Sequence, residues 1–475
     1  MPLSTIFQIA ALSLISNGAL AEAKKPNIVV IGAGLAGLTT AYRLQQKGLD
    51  VHVYEARKRV GGRVFTVKIG DELAELGGQN ITDGGDAENM RSLIAEFSLE
   101  PTKYKVDLDY QYLTQDGFIS GDLLYKEKFD SEDLKSQLAQ AAQKAHNMRD
   151  VLNTLLEEND PLYKVLSVRL AAYEGAIIDK LSPLYIDTLY HMLLGGLSAA
   201  HQNVEKENYV DMISIKGGNA LLPEKLAQSL GDNIHLNMPL VAISKAIDNC
   251  YELVFQNGEK VKTDIVVLAV PCSVYNDIHF AKDLIPEEKL EAIKNVQYGT
   301  NAKILVPISQ PPTPKTTFIN DRMGGFFANH NVLTLYYTGD AGKFSETTIS
   351  QAYQQEHSML EKGLGKLCPP FLAPSYARDE SFISYDGPVG YSWPNDPYVK
   401  GTYSYISPGQ ETLLTAIEKQ GEELTKTLFA PIDQTLYFAG EHASILMEVP
   451  GTMEAACESG ERTARMIEKV LKNEA

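Results

Sequence analysis

Gly32, Gly34 and Gly37 stand in the spacing G-x-G-x-x-G, and an acid, Glu55, closes the next apolar stretch. The first glycine of such a set makes a tight turn, the second admits a pyrophosphate, and the third lets a helix pack closely on a strand. Free N–H groups at a helix start can face phosphate oxygens, and a carboxylate such as Glu55 can accept hydrogen bonds from a ribose. The neighbouring residues supply the elements that this chemistry needs. Residues 28–31 form an apolar run suited to a parallel strand covered on both faces, residues 38–45 read as helix, and residues 49–54 read as a second strand. A G-x-G-x-x-G alone is a weak signal; with strand, helix and acid in place it points to a bound dinucleotide.

Further residues of interest surround this unit. Gly61-Gly62-Arg63 follows it, and Arg63 is a candidate for a second phosphate contact because a guanidinium can grip a phosphate with two hydrogen bonds; the bland alternative is a basic hairpin in solvent. Gly77-Gly78 marks a close backbone approach. Near the end, residues 435–438 read as a strand, Ala439-Gly440-Glu441 as a turn, and residues 452–472 as a long helix whose start aims N–H groups at a ligand. On pattern alone Lys303 is a solvent-facing lysine on a strand, and Trp393, the single tryptophan, is core. His279 and His442 fit satisfied structural histidines. The four cysteines, Cys250, Cys272, Cys368 and Cys457, lack metal-ligand spacing. Buried free thiols are expected, with Cys250 and Cys272 the pair nearest in sequence if a bridge forms, and no metal site is expected.

The remaining chain alternates between two kinds of pattern. Residues 86–97 are helical, residues 108–118 alternate and turn at 116–117, residues 126–158 are polar and helix-forming, and residues 162–196 are apolar helices broken near 182–183. A glycine pair at 217–218 precedes a helix to about residue 230. Strands are predicted at 234–243, 251–255 and 260–270, the last ended by Pro271. Further strands at 304–307, 333–337 and 381–385 predict a more antiparallel, half-buried sheet in a second lobe. There is no repeat and no low-complexity linker, so the domains interleave. The chain has 475 residues, 44% hydrophobic and 22% charged, which suits a multilobed globular protein. Its formal charge of −18 argues against nucleic-acid binding and suits a cationic substrate. Residues 6–15 are apolar and Ala19-Leu20-Ala21 offers small residues at a cleavage site, so residues 1–21 read as a secretory signal, although no Lys or Arg precedes the apolar stretch. Export, to the periplasm rather than the medium, is the expectation, with no transmembrane helix after it.

From residue 26 to 472 the chain resembles the flavin-containing amine oxidase family, which includes monoamine, polyamine and amino-acid oxidases. The resemblance rests on Gly32 to Glu55, Glu55-Ala56-Arg57 through Gly61-Gly62-Arg63, Leu76-Gly77-Gly78, Lys216-Gly217-Gly218, Val266 to Pro271 with Ile278-His279-Phe280, Trp393 to Tyr405, Tyr437 to Glu441, Gly451 to Ala456, and Ser459-Gly460-Glu461-Arg462. It implies an α/β fold: a Rossmann-like FAD-binding domain of the glutathione-reductase type, interleaved with an α+β substrate domain having a mixed sheet and helices. The implied division is 24–105, 211–298 and 401–475 for the FAD-binding domain, and 106–210 (helical) and 299–400 for the substrate domain. The implied cofactor is FAD. By the resemblance Gly32, Gly34, Gly37, Gly62, Gly77, Gly78 and Gly440 lie along it. Glu55 holds the adenosine ribose, Arg57 and Arg63 follow the pyrophosphate and ribityl chain, and Val241 meets the adenine through its backbone. Glu441 sits near the phosphates, and the Met453 amide faces the flavin carbonyl, where a helix start stabilises negative charge.

The resemblance also assigns catalytic places. Lys303 reaches the flavin through a water and assists reaction with oxygen, since a cation stabilises developing charge there. Trp393 packs beside the flavin, and Tyr403 forms one wall of an aromatic cage that can hold an amine. Thr452 stands where animal monoamine oxidases have the second tyrosine, so the cage is half open and a longer amine fits. Thr402 stands where those enzymes have the cysteine that attaches FAD, so FAD is expected to be non-covalent. Asn80 occupies the place of the arginine that grips the carboxylate in snake-type amino-acid oxidases, which lowers that reading. The expected activity is oxidation of a primary or secondary amine to an imine, then an aldehyde or ketone, with O2 reduced to H2O2. The partners are thus a small amine and O2, and a homodimer is the implied assembly. The competing readings are an L-amino-acid oxidase, a flavin amine dehydrogenase or desaturase with another acceptor, and a flavoprotein without activity.

Overall fold

The structure is a computed structural model that describes residues 25–82, 86–107, 110–114, 117–125, 131–195, 209–246, 250–311, 317–447 and 450–473. The export signal expected over 1–21 lies outside the described residues. A five-stranded parallel sheet runs in the order Leu436–Phe438, Ile265–Leu268, Asn27–Ile31, Asp50–Tyr54, Ile234–His235. Its inner strands are apolar on both faces because helices Leu35–Gln46 and Met453–Asn473 cover one side and a four-stranded sheet the other.

The first helix begins at Leu35, three residues earlier than the apolar pattern predicts, because Gly34 is still extended and serves as its N-cap. The predicted strand 234–243 is two strands in two sheets. After Ile234–His235 the chain takes a positive φ of 58° at Asn237 and meets Pro239, which has no N–H to donate; Leu240–Lys245 then starts in the four-stranded sheet. The predicted strand 260–270 is likewise split into Lys260–Thr263 and Ile265–Leu268. At the break, the Asp264 carboxylate accepts the Asn27 N–H at 2.8 Å.

An eight-stranded sheet forms the second lobe, in the order Ser375–Tyr376, Val389–Ser392, Ala302–Pro307, Val332–Tyr337, Met323–Asn329, Thr317–Ile319, Tyr110–Thr114, Gly117–Ser120. It is mostly antiparallel, but its centre is buried on both faces rather than half-buried. Ala302, Ile304 and Val306 face helix Ile349–Leu364, whereas Leu305 packs with Phe65, Leu76 and Trp393. By the two-residue period of a strand, Lys303 shares the face of Leu305. The predicted strand 381–385 shrinks to Ser384–Tyr385 and pairs with Thr66–Ile69 instead of this sheet, because Phe382 has φ 63°. Helices Ser131–Ala142, Met148–Asn153, Pro161–Glu174 and Ile186–Gly195 pack on the sheet's far end, with Asn147 capping the second of them. All four cysteines are free; Cys272 and Cys457 are buried, but Cys250 and Cys368 are only half-buried.

Gly37 is required by the contact between the first helix and the first turn: a Cβ there would lie 2.0 Å from the Gly32 carbonyl oxygen. Gly37→Ala is therefore expected to destabilise the protein by about 3 kcal/mol, at the upper end of overpacking costs, despite the ~1 kcal/mol that alanine gains in a helix. Urea unfolding measures this; an unchanged midpoint would refute the contact.

Candidate active site

A cavity of about 790 Å³ opens where the two lobes meet. One side of it is built from the glycine turn. Gly32 holds φ 104°, and a Cβ on it would lie 2.7 Å from the Ala269 oxygen. Gly34 lines the cavity, and a Cβ on it would meet no protein atom within 4 Å. No side chain caps the first turn of the helix that follows. Glu55 accepts the Ala33 N–H at 2.7 Å and the Arg57 N–H at 2.9 Å. Burial raises its pKa, against the pull of Arg57 and of these two amides. Val241 lines the same region at a bulge, where the register shifts between Leu240 and Ala242. A bulge locally interrupts the ladder with the neighbouring strand, here where Val241 meets the cavity.

Arg57 lies at the cavity edge with its guanidinium already paired. It donates to the Asp396 carboxylate and, at 3.2 Å, to Asp379, and it stands 5.3 Å from the centre of the Tyr398 ring. Arg63 reaches the Thr402 carbonyl at 2.6 Å and Glu441 at 2.9 Å. Glu441 also accepts the Ser404 hydroxyl at 2.7 Å. Burial acts to raise the pKa of Glu441, but Arg63 and its other hydrogen bonds hold it below the ordinary value. Gly62 and Gly440 line the cavity on either side of this pair. Gly440 takes φ 149°, and a Cβ on it would strike the His442 ring at 2.3 Å.

The second lobe supplies the opposite wall. Lys303 is buried rather than in solvent: its Nζ donates to the carbonyls of Gly77 at 2.8 Å and Glu75 at 3.0 Å, and to Gln79 Oε1 at 3.1 Å. Burial lowers its pKa and Glu75 opposes that shift. Trp393 is buried at the cavity wall and donates its indole N–H to Leu76 at 3.1 Å. The Tyr403 hydroxyl donates to the carbonyl of Ala172 at 2.7 Å and of Tyr173 at 2.8 Å, and Asn301 donates to both the Tyr403 and Tyr336 hydroxyls. Gly451 must be glycine because a Cβ would meet the Tyr403 ring at 2.8 Å. Thr452 caps the last helix by accepting the Ala455 N–H at 3.1 Å, while Met453 lies against Gly78. A Cβ on Gly77 would lie 2.0 Å from the Arg63 oxygen, so the 77–78 turn is pressed against the strand beside it.

The structure thus brings every predicted site residue to one cavity except Gly37, which works behind the wall. His279 is exposed, not satisfied in the interior, and His442 is buried with its Nδ1 3.1 Å from the Tyr298 hydroxyl and its Nε2 without a partner among the described residues. Burial pushes the His442 pKa down to about 4, so it is neutral. Sequence reasoning missed Gln79, Asn301, Tyr336 and Arg169, all on the cavity wall. Gln79 follows the glycine pair directly and was within reach; the others come from patterns that look like ordinary helix and strand. Among the described residues there is no group of three His, Cys, Asp or Glu that would hold a metal, and no helix is long and apolar enough to cross a membrane.

The fold and cavity define a two-lobed α/β nucleotide-binding protein. The sequence profile described as flavin containing amine oxidoreductase matches residues 35–467, and the chain belongs to this family of FAD-dependent oxidoreductases. It is 24% identical over 497 residues to an L-amino-acid oxidase of Demansia vestigiata, covering 96% of this chain and 90% of the relative. It is 22% identical over 510 residues to one of Gloydius halys, covering 96% and 92%. Among solved structures it is similar to cyclohexylamine oxidase from Brevibacterium oxydans, with TM-score 0.71 and 19% identity over 94% of this chain and 100% of that one. A wild-type putrescine oxidase bound to putrescine gives TM-score 0.70 and 19% identity, covering 94% and 99%.

The residues present fit FAD: an open glycine, an uncapped helix start and a bulged strand face one cavity. Gly34→Ala disturbs no protein contact, so the apoprotein is expected to keep its melting temperature while its affinity for added FAD falls by about tenfold, or ~1.4 kcal/mol. A fluorescence titration with FAD decides this, and equal affinity would mean that the open side of Gly34 meets no cofactor.

Proposed function

We propose that the protein is an oxidase that binds FAD without a covalent bond and converts an amine, O2 and water to a carbonyl compound, ammonia or a smaller amine, and H2O2. A bound FAD supplies the acceptor for the electrons of the amine C–H bond. The observation that carries the oxidase reading is the buried Lys303 ammonium, aimed from the second lobe at the glycine turn of the first.

The chain's own residues then have distinct tasks. Tyr403, fixed through its hydroxyl to two backbone carbonyls, presents its ring as one wall for the amine; Trp393, fixed through its indole N–H, closes the wall next to it. Neither can take a proton from the amine in this arrangement, so the substrate must react as the free base. Thr452 is small and engaged in capping, which leaves the side opposite Tyr403 open for a longer amine. The start of helix Met453–Asn473 supplies N–H groups and a favourable dipole for negative charge. Glu55, Arg63 and Glu441 hold the nucleotide side, and Arg57 acts there through Asp396. The division into interleaved FAD-binding and substrate domains, and export of the chain, complete this reading.

A second reading, in which the amine is an α-amino acid, is favoured by Arg169. Its guanidinium lines the cavity on helix Pro161–Glu174, donates to the Gly324 carbonyl at 2.5 Å and lies 4.9 Å from the centre of the Tyr173 ring. Under that reading Arg169→Gln raises KM for amino acids by about a hundredfold, the scale of a lost charged hydrogen-bond pair, and leaves KM for simple amines the lower of the two.

Lys303→Met is expected to slow reoxidation of the reduced protein by oxygen about a hundredfold and to affect anaerobic reduction by an amine far less. Stopped-flow absorbance separates the two half-reactions. Wild-type protein that amines bleach but oxygen does not restore would instead identify a dehydrogenase.

A further inference from the structure

A lysine ammonium has three N–H donors, and in this protein Lys303 has an acceptor for each of them within residues 75–79. Two of the acceptors are backbone carbonyls that cannot withdraw. The Glu75 carbonyl ends strand Glu72–Glu75, and the Gly77 carbonyl sits in a turn whose neighbour Gly78 donates its N–H to Arg63 at 3.1 Å and packs against the Met453 sulfur. The third acceptor, Gln79 Oε1, is the end of a flexible, half-buried side chain on the same cavity wall. It is the one partner that can leave without moving the sheet.

We infer that Gln79 is a positioning residue for Lys303, holding its third ammonium hydrogen and exchanging it for an oxygen atom in the cavity. The inference rests on the reading of Lys303 as the cation on the oxygen side. With all three donors held by the protein, Lys303 offers the cavity charge but no N–H; when Gln79 turns away, it offers both. Glu75 opposes the loss of that charge on burial: its carboxyl accepts the Thr66 hydroxyl at 2.9 Å and the Asn219 N–H at 2.8 Å, and it lies close enough to favour the ammonium form. No bond to carbon or oxygen is made or broken in the exchange; one hydrogen bond changes its acceptor.

Two substitutions test the competition in the holoenzyme. Gln79→Met removes the acceptor at similar side-chain length and is expected to speed reoxidation by about tenfold, the lower end of the scale of one hydrogen bond to a charged group. Gln79→Glu holds the ammonium more firmly and is expected to slow reoxidation by a similar factor. Both effects exceed those on anaerobic reduction, and both vanish in a Lys303→Met background. A second readout needs no cofactor: in apoprotein carrying ¹⁵N-lysine, the Lys303 ammonium signal, identified by its loss in Lys303→Met, exchanges hydrogen with water faster in Gln79→Met and more slowly in Gln79→Glu. Reoxidation effects that persist without Lys303, or ammonium exchange that ignores Gln79, overturn the inference while leaving the oxidase reading intact. Wild-type protein that oxygen does not reoxidise overturns both.

Discussion

The Glu55 carboxylate ties the end of the second strand to the turn after the first, through the amide of Ala33, and fixes its own chain direction through the amide of Arg57. This small buried knot fixes the glycine turn against the end of the second strand. Arg57 passes the constraint to Asp396, which also receives the Tyr391 hydroxyl and the Tyr398 N–H. Trp393, one turn earlier, holds Leu76, and Leu76 opens the glycine turn whose carbonyl holds Lys303. A continuous set of polar contacts therefore joins the parallel sheet to the eight-stranded sheet, and the cavity lies along it. Buried charges are costly unless each is paired; here Arg57 with Asp396, and Lys303 with the Glu75 and Gly77 carbonyls, pair across the lobes, so the two lobes specify one another's position.

The parts of this arrangement that were legible in the sequence are those in which chemistry is local. The three glycines and Glu55 lie within one strand–turn–helix–strand unit, and their spacing together with those elements carries the geometry. The resemblance to flavin amine oxidases added Lys303, Trp393 and Tyr403, none of which the residue pattern could raise above a surface lysine and two core aromatics. What stayed hidden depends on pairing across long separations. That the Arg57 guanidinium pairs with Asp396, more than 300 residues away, could not be read from the local sequence. That the Thr452 hydroxyl accepts the amide of Ala455 while the residue lines the cavity depends on where the last helix starts. The two misjoined strands failed for a shared reason. Apolar alternation continues through Asn237 and Asp264, but one backbone turn and one carboxylate–amide bond send the chain into a different sheet.

The cavity draws its walls from residues near 32, 55, 77, 172, 241, 303, 336, 393, 403, 440 and 452, so no serial piece of the chain contains the site. Side chains that hold one another here are separated by most of the chain, and the closing contacts are backbone-tight. This explains why glycine recurs at the lobe boundary. At 77, 78, 440 and 451 the space a side chain would need is already filled by a carbonyl, a thioether, an imidazole or a phenol ring.

The last helix, Met453–Asn473, lies directly on the first, Leu35–Gln46: a Cβ on Gly460 would come within 2.5 Å of the Ala36 oxygen, and Arg43 pairs with Glu461 at 2.8 Å. The strand Leu436–Phe438 that completes the parallel sheet also comes from this end of the chain. During synthesis the amino-terminal turn is made first, yet it lacks both its covering helix and an edge strand until the carboxyl-terminal residues emerge. The parallel sheet is therefore closed only once this segment has been made, and a chain cut short before residue 436 leaves an apolar sheet edge uncovered and prone to self-association.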